Sequence, residues 1–279
     1  IINLQSKILK KNVTRKLNIG YDSKLFTKKT LNALLRNNNH EFIPIKNNLI
    51  DQIWKRKLKI NKKKFYILPS DSAGESYKSK IKKVVLNLKK NKADYQFISA
   101  SENNAWLLNI RGSDDAFAPI PFCFILIDKK KNIQFFCDLK KISQSFKKYF
   151  DKIKFRNIDS IEKVLSEIKK KNFIIDRNTC SIFFEKIISK NNKISNYHDQ
   201  IYHLKSIKNK SEINNIKSVH IYDGVAVTKY LFWLKKNFDK RKITELSASK
   251  KLYEFRKINK KFKSLSFPTI SGSGPNGAI

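Results

Sequence analysis

A chain of 279 residues has room for two ordinary domains or one large one, with a sizeable apolar core. Its 41% hydrophobic and 12% aromatic content, with only 7 Gly and 6 Pro, excludes a wholly disordered, linker-like or collagen-like chain. The 60 Lys+Arg against 23 Asp+Glu leave a formal charge of +37, which taken alone points to a nucleic-acid or anionic-membrane partner.

In chain order, residues 13–21 have strand character. Residues 23–37 read as a helix, because Leu25, Leu31, Leu34 and Leu35 recur near the spacing of one helix face. A short strand at 41–45 follows, then a helical face at 49–54 carried by Leu49, Ile50, Ile53 and Trp54. The lysine-rich segment 55–64 sets a boundary, so 1–64 reads as the end of a first domain. A second domain, 65–200, begins with an amphipathic helix at 75–91, where Ile81, Val84, Val85 and Leu88 share a face. A strand at 95–99 is followed by an apolar stretch, 103–110, that runs into the loop Arg111-Gly112-Ser113-Asp114. Two strands, 121–128 and 132–138, are joined by a turn of Lys129, Lys130 and Lys131. Helices at 144–152 and 160–170, a strand at 172–176 and a helix at 181–190 complete this unit. Such alternation predicts an α/β layered fold. In the third unit, 201–279, Ser211 is placed to cap a long helix reaching about Lys236. Gly224 inside it costs about 1 kcal/mol relative to Ala, which suggests close backbone packing there. Thr244 caps a second helix, 245–256, and a strand at 264–271 leads into a Gly/Pro/Asn turn.

The charge carries less information than its size suggests. Of the cations, 52 are Lys and 8 are Arg, whereas base-edge recognition relies on the planar fork of Arg. The lysines are spread along the chain, and Lys, Asn and Ile rise together, as in Lys190-Asn191-Asn192-Lys193. An AT-rich coding sequence produces that pattern without selection, and the runs read as a solvated coat. Cys123, Cys137 and Cys180 are odd in number and fit neither a zinc pattern nor a disulfide framework. They favour a reducing, cytoplasmic location, with Cys123 and Cys137 as small buried hydrophobes in strands. The longest apolar run, 120–127, is broken by Pro121 and falls short of the ~20 residues of a membrane helix. With no Met, Ile at position 1 and a turn signal just before Ile279, the chain is expected to be an internal piece of a longer protein.

Candidate chemistry is sparse. Gly272-Ser273-Gly274-Pro275-Asn276-Gly277 matches G-x-G-x-x-G, but two helices precede its strand in place of a βαβ unit, so a structural turn is the better reading. His40, His198, His203 and His220 show no metal-ligand spacing. Glu102, Arg111, Asp114 and Asp115 bracket an apolar segment. They could clamp a ligand carboxylate, but a salt-bridged loop fixing a strand end is favoured. No Ser or Cys has a recognisable base partner.

Several segments do carry a resemblance. Glu102-Asn-Asn-Ala-Trp-Leu-Leu-Asn-Ile-Arg-Gly-Ser-Asp114 resembles the D-E-x-A-W-L-L-N-x-R-G-x-D segment of the three-domain aminopeptidases P, the Xaa-Pro aminopeptidases of the M24 metallopeptidases. Ser266-Phe-Pro-Thr-Ile-Ser-Gly-Ser-Gly-Pro-Asn-Gly-Ala-Ile279 is similar to that family's S-F-x-T-I-x-x-x-G-P-N-G-A-I. Leu204-Lys-Ser-Ile-Lys-Asn-Lys-Ser-Glu-Ile213 resembles the L-K-A-I-K-N-x-x-E-I that opens its catalytic domain. His220 to Ala226, Trp233-Leu234, Thr244 to Ala248, Ile19 to Asp22 and Asn48 to Trp54 continue the likeness in the family's order. Two departures stand out: lysines replace the prolines expected after Trp54, and Asn103 replaces a usual glutamate.

The resemblance implies creatinase-N-type α/β layers over 1–64 and 65–200, followed by the start of a pita-bread metallopeptidase domain over 201–279. It implies a dimeric enzyme that releases the residue preceding an amino-terminal Xaa-Pro bond, using two divalent ions, usually manganese. The family's ligands are two aspartates, one histidine and two glutamates, all beyond the G-P-N-G-A-I turn. No catalytic, metal or substrate-binding residue is therefore carried onto this chain, and Asp114, His220 and Asp223 do not fill those roles. The alternatives are a family member that has lost its chemistry and acts as a binding module, or a basic nucleic-acid binder.

Overall fold

The computed structural model describes residues 15–35, 40–54, 62–196, 198–240 and 242–277. Its elements begin with β1 (Asn18–Asp22), α1 (Lys28–Leu35), β2 (Glu41–Ile45), α2 (Leu49–Ile53) and β3 (Tyr66–Ile67). Next come α3 (Ser70–Ala73), α4 (Tyr77–Lys90), β4 (Tyr95–Ile98), α5 (Ser101–Leu108) and β5 (Ile110–Arg111). β6 (Cys123–Asp128), β7 (Ile133–Cys137), α6 (Gln144–Tyr149), β8 (Ile153–Asn157), α7 (Ile161–Glu167) and β9 (Asn172–Ile175) follow. The chain continues through α8 (Ile182–Ser189), β10 (Lys193–Asn196) and α9 (Ile201–Ser206) to α10 (Lys210–Asn237) and α11 (Glu245–Lys257).

The first of two compact units takes in Ile1–Ile67, Ser76–Asp114 and Ile120–Ile207. Its centre is a six-stranded mixed sheet in the order β10-β9-β4-β6-β7-β8. β10, β9 and β4 run parallel, β6 is antiparallel to β4 and β7, and β8 is parallel to β7. Strand alternation sends Ile125 and Ile127 into one apolar layer and Leu126 into the other. Phe135 and Phe136 divide in the same way. A strand covered on both faces has no polar face, which is why 121–128 reads as a continuous apolar run. The first layer also holds Val84 and Leu88 of α4 and Leu107 of α5; the second holds Leu165 of α7 and Ile188 of α8. Each such buried side chain contributes roughly 1.5–3 kcal/mol. A smaller parallel pair, β1 and β2 joined through α1, buries Tyr21 and Leu31 against Ile182 of α8.

The α/β layering and most of its elements follow the sequence reading, and the differences have physical causes. β8 and β10 were not anticipated. They are the two edges of the sheet, where burial is incomplete and Lys193, Ser195 or Lys154 are tolerated, so no apolar period marks them. The stretch read as 103–110 is the helix α5. Asn103 and Asn104 are as buried as Leu107 and Leu108, so it has no amphipathic signature. The predicted helix at 23–37 begins only at Lys28; Leu25 lies in the preceding turn, 71% exposed. Residues 13–14, 36–37 and 55–61, on which parts of the first strand, that helix and the 1–64 boundary rest, lie outside the described residues.

The second unit comprises Leu68–Glu75, Asp115–Pro119 and Lys208–Ile279. Asn209, not Ser211, caps α10: its side chain accepts from the Glu212 N–H at 3.0 Å while Glu212 accepts from the Asn209 N–H at 2.9 Å. Asn209 also donates to the Ala73 carbonyl at 2.9 Å, alongside Gly74 at φ +67°. A Cβ on Gly74 would lie 2.2 Å from the Asn209 amide oxygen, so both the left-handed backbone and the space require glycine. Gly224 is not a close-packing site, since a Cβ there meets nothing within 4 Å. Thr244 caps α11 as expected. Residues 264–271 form no strand: an extended segment becomes one only by pairing, and none of the described residues pairs with it.

Candidate functional site

The parallel strands β4, β9 and β10 deliver their carboxyl ends to one end of the large sheet, the usual ligand position in α/β sheets. Asp176 follows β9 directly and Asp199 follows β10; both are buried, at 5% and 4% exposure. Asp199 accepts from Gln96 Nε2 at 2.9 Å, Asn103 Nδ2 at 2.7 Å and the Ile201 N–H at 3.0 Å. Its own N–H donates to Asp176 at 2.9 Å. Asn103 in turn accepts from Lys205 Nζ at 2.6 Å, and Tyr202 donates to Glu102 at 2.7 Å. Burial pushes the Asp199 carboxyl above its ordinary value, against the opposing pull of its three donors. Burial and the bond to Glu102 likewise raise the Tyr202 hydroxyl.

A cleft of about 420 Å³ lies beside this network, lined by Lys28, Lys29, Asn32, Asp176, Arg177, Asn178 and His198. Lys28 and Arg177 both bond Glu185, at 3.2 and 3.0 Å. The chemistry on offer is positional. Asp199 is enclosed by donors, and no Ser, Thr or Cys is among the described residues that line the cleft. The network ties α5 and α9 to the sheet through paired donors and acceptors, with the Gln96 amide oxygen left buried and without a hydrogen-bond partner. Asn103 has a specific part in it: an amide donates to Asp199, which the glutamate of the resembled motif does not do when ionised.

The residues singled out from the sequence do not converge. Arg111 Nη1 donates to the Ile110 carbonyl at 2.9 Å. Asp114 receives the Phe122 N–H at 2.7 Å and pairs with Lys141, while Asp115 accepts from the N–H groups of Phe117 and Ala118. These bonds fix loops. His40 is buried and accepts from the Leu17 N–H; His198, His203 and His220 are exposed on separate segments. Asp223 forms a two-point ion pair with Arg256, at 2.7 and 3.1 Å, joining α10 to α11. Cys123 and Cys137 face each other across β6 and β7, buried and unbridged. Burial raises Cys137 to about 12 and Cys123 well above its usual range, so neither is a ready nucleophile. Around Gly272–Gly277 the Ser273 N–H and the Asn276 amide donate to Glu245, at 2.7 and 3.2 Å. Donors that could cradle a phosphate are thus aimed at a carboxylate. Among the described residues no three His, Cys, Asp or Glu side chains gather as a metal set, so a dinuclear centre does not fit them. No described helix is long and apolar enough to cross a membrane.

The Asp176–Asp199 network is what sequence reasoning missed. Its one legible trace is an acid two residues before the apolar start of a helix, at Asp199 and Ile201.

Comparison with known proteins places these features. A family model described as the Creatinase/Prolidase N-terminal domain matches residues 56–212. A probable Xaa-Pro aminopeptidase P of Paracoccidioides lutzii is 31% identical over 94% of this chain and 46% of its own length. The Xaa-Pro aminopeptidase ApepP of Drosophila melanogaster is 31% identical over 97% of this chain and 46% of its own. The chain thus spans about half the length of the curated relatives it matches. The crystal structure of an X-prolyl aminopeptidase from Caenorhabditis elegans, described as a cytosolic enzyme with a di-nuclear active site, superposes with a TM-score of 0.84. It covers 98% of this chain and 48% of that one at 20% identity, a likeness of fold. With a family match across more than half of its residues, the chain belongs to the creatinase/prolidase N-terminal domain family.

Proposed function

We propose that this chain is the amino-terminal scaffold of a metallo-aminopeptidase that hydrolyses the amino-terminal Xaa-Pro bond of peptides. The observation that carries the reading is the collinear match to Xaa-Pro aminopeptidases over 94% of the chain at 31% identity. The motif from Glu102 to Asp114 is structural in its contacts: Asn104 donates to the Ile98 and Cys123 carbonyls of β4 and β6, and Arg111 of β5 donates to the Ala105 carbonyl of α5. In this reading 1–64 and 65–200 are creatinase-like domains and 201–279 opens the catalytic domain. Two metal ions, manganese in the simplest case, are held by residues outside this chain, and the complete enzyme is a cytoplasmic homodimer. When bound, such metals supply a hydroxide and stabilise the oxyanion. The described residues position and support that centre.

The test is a peptidase assay on the purified 279-residue chain with an Arg-Pro-Pro peptide and manganese. No arginine release is expected from the chain alone, and release is expected from the same chain extended to the length of its relatives. Manganese-dependent release by the chain alone would put the ligands within it and refute this division of roles. Failure of the extended protein to cleave would refute the peptidase reading itself.

A further inference from the structure

The sheet gathers what the sequence scatters. The start of β4, the β6–β7 turn and the starts of β8, β9 and β10 meet at one end of the sheet, as the pairings Tyr95↔Asp128, Ile133↔Ile153, Tyr95↔Phe173 and Lys193↔Asn172 require. The five loops there, 89–94, 128–132, 150–153, 168–171 and 190–193, each carry one to three lysines, and every one is exposed. Across six strands they form a basic rim about 24 Å wide. Its acids are outnumbered by the lysines: Asp94 pairs with Lys129 at 2.7 Å, Asp128 accepts the backbone N–H groups of Lys130 and Asn132, and Asp151 is exposed. The opposite end of the same sheet carries Asp138, Asp159, Asp176 and Asp199; its cations are Lys140, which is exposed, and Lys141 and Arg177, which are paired with acids.

Compositional drift does not choose between two ends of one sheet. Nor does it explain the backbone. Lys92, Lys131 and Lys170 have φ of +50°, +72° and +54°, in the left-handed region where Asn is favoured over other side chains. This chain is rich in Asn, and the drift that supplies Lys supplies Asn equally. Three of the four described non-glycine residues with positive φ are nevertheless lysines of this rim.

We propose that this rim is a docking surface for the phosphodiester backbone of nucleic acid, bound without regard to base sequence. Lysines act as point charges on phosphates, and none of the five loops carries an exposed large hydrophobic side chain to insert into a bilayer, which favours nucleic acid over membrane. The surface is separate from the peptidase reading and stands or falls independently of it.

The test compares two variants of equal net charge. One carries Lys92→Asn, Lys131→Asn, Lys170→Asn, Lys152→Gln and Lys193→Gln, with Asn placed where the backbone accepts it. The control carries Lys217→Gln, Lys229→Gln, Lys235→Gln, Lys250→Gln and Lys257→Gln, all exposed in the second unit. Circular dichroism establishes that both are folded. Fluorescence anisotropy with labelled oligothymidine and a duplex of arbitrary sequence is read between about 50 and 200 mM salt. The rim variant is expected to lose about tenfold or more in affinity and to flatten the salt slope by roughly three to four, while the control loses less than about twofold. Equal losses in the two variants would show that net charge alone is read, and would overturn the proposal. So would rim-dependent binding to phosphatidylserine vesicles with none to nucleic acid.

Discussion

The two compact units bury their apolar residues very differently. In the first, α4 spends fourteen residues to bury Tyr77, Ile81, Val84, Val85 and Leu88; Lys80 is buried with them, its ammonium donating to the Trp106 carbonyl and Asn109, and the other lysines fill the outer face. In the second, α10 is twice as long and its one buried residue is Ala226. Ile213, Val219, Ile221, Leu231 and Phe232 are each between 42% and 69% exposed, on more than one face. Large apolar side chains spread over more than one face of a helix, between its lysines, are surface that another element can cover. The first unit therefore contains its own core. The second presents surface that, in the proposed reading, the remainder of the catalytic domain covers.

The sharpest way to break this contrast is a matched pair of truncations. Phe135→Ala removes a fully buried ring from the first unit and should cost about 3–5 kcal/mol, read as a fall in the urea midpoint. Phe232→Ala, at a residue 69% exposed, should change it by no more than about 0.5 kcal/mol. A large loss from Phe232→Ala would mean that α10 is already enclosed.

Next in size is the Asp199 network. Asp199→Ala strands the donors of Gln96, Asn103 and Ile201, and should cost about 1–3 kcal/mol. Its pH dependence has a definite sign. Because burial raises the Asp199 pKa, the stability it lends is fully present below the unfolded value and is lost as pH rises through the folded one. Asp94 has the opposite sign: the Lys129 bond lowers its pKa, so its contribution is present above the unfolded value and is lost as pH falls through the folded one. Unfolding midpoints across the acid range should lose the first dependence in Asp199→Ala and the second in Asp94→Asn. Unchanged profiles would show that neither carboxyl is coupled to folding.

The smallest expected effect is a gain. Gly224→Ala fills open space in the middle of α10 and should stabilise the chain by up to about 1 kcal/mol. A loss measured by thermal unfolding would restore the close packing that the sequence suggested.

Most of the layered architecture was legible in the sequence because its signals are local. α4 announces itself by a 3–4 apolar spacing, and β6 and β7 by apolar runs on either side of a lysine turn. β8, β10 and α5 were not legible. The two strands are edges with little to bury, and the helix is buried on both sides, so neither case leaves a periodic trace. The candidate site was legible only as separate letters. Glu102 and Asn103 stand about a hundred residues from Tyr202, Asp199 and Lys205, and composition cannot reveal that they bond.

Taken alone, the sequence determined the α/β class, most element positions, the buried state of Cys123 and Cys137, and the family likeness. Each of these is written in neighbouring residues or short motifs. Only the tertiary structure decided which partners Arg111, Asp114 and Asp115 take in their loops, that Asp199 is the buried centre of the polar network, and that lysines from five distant loops share one rim. Those outcomes depend on strand order and register, which bring residues together across the sheet irrespective of their separation along the chain.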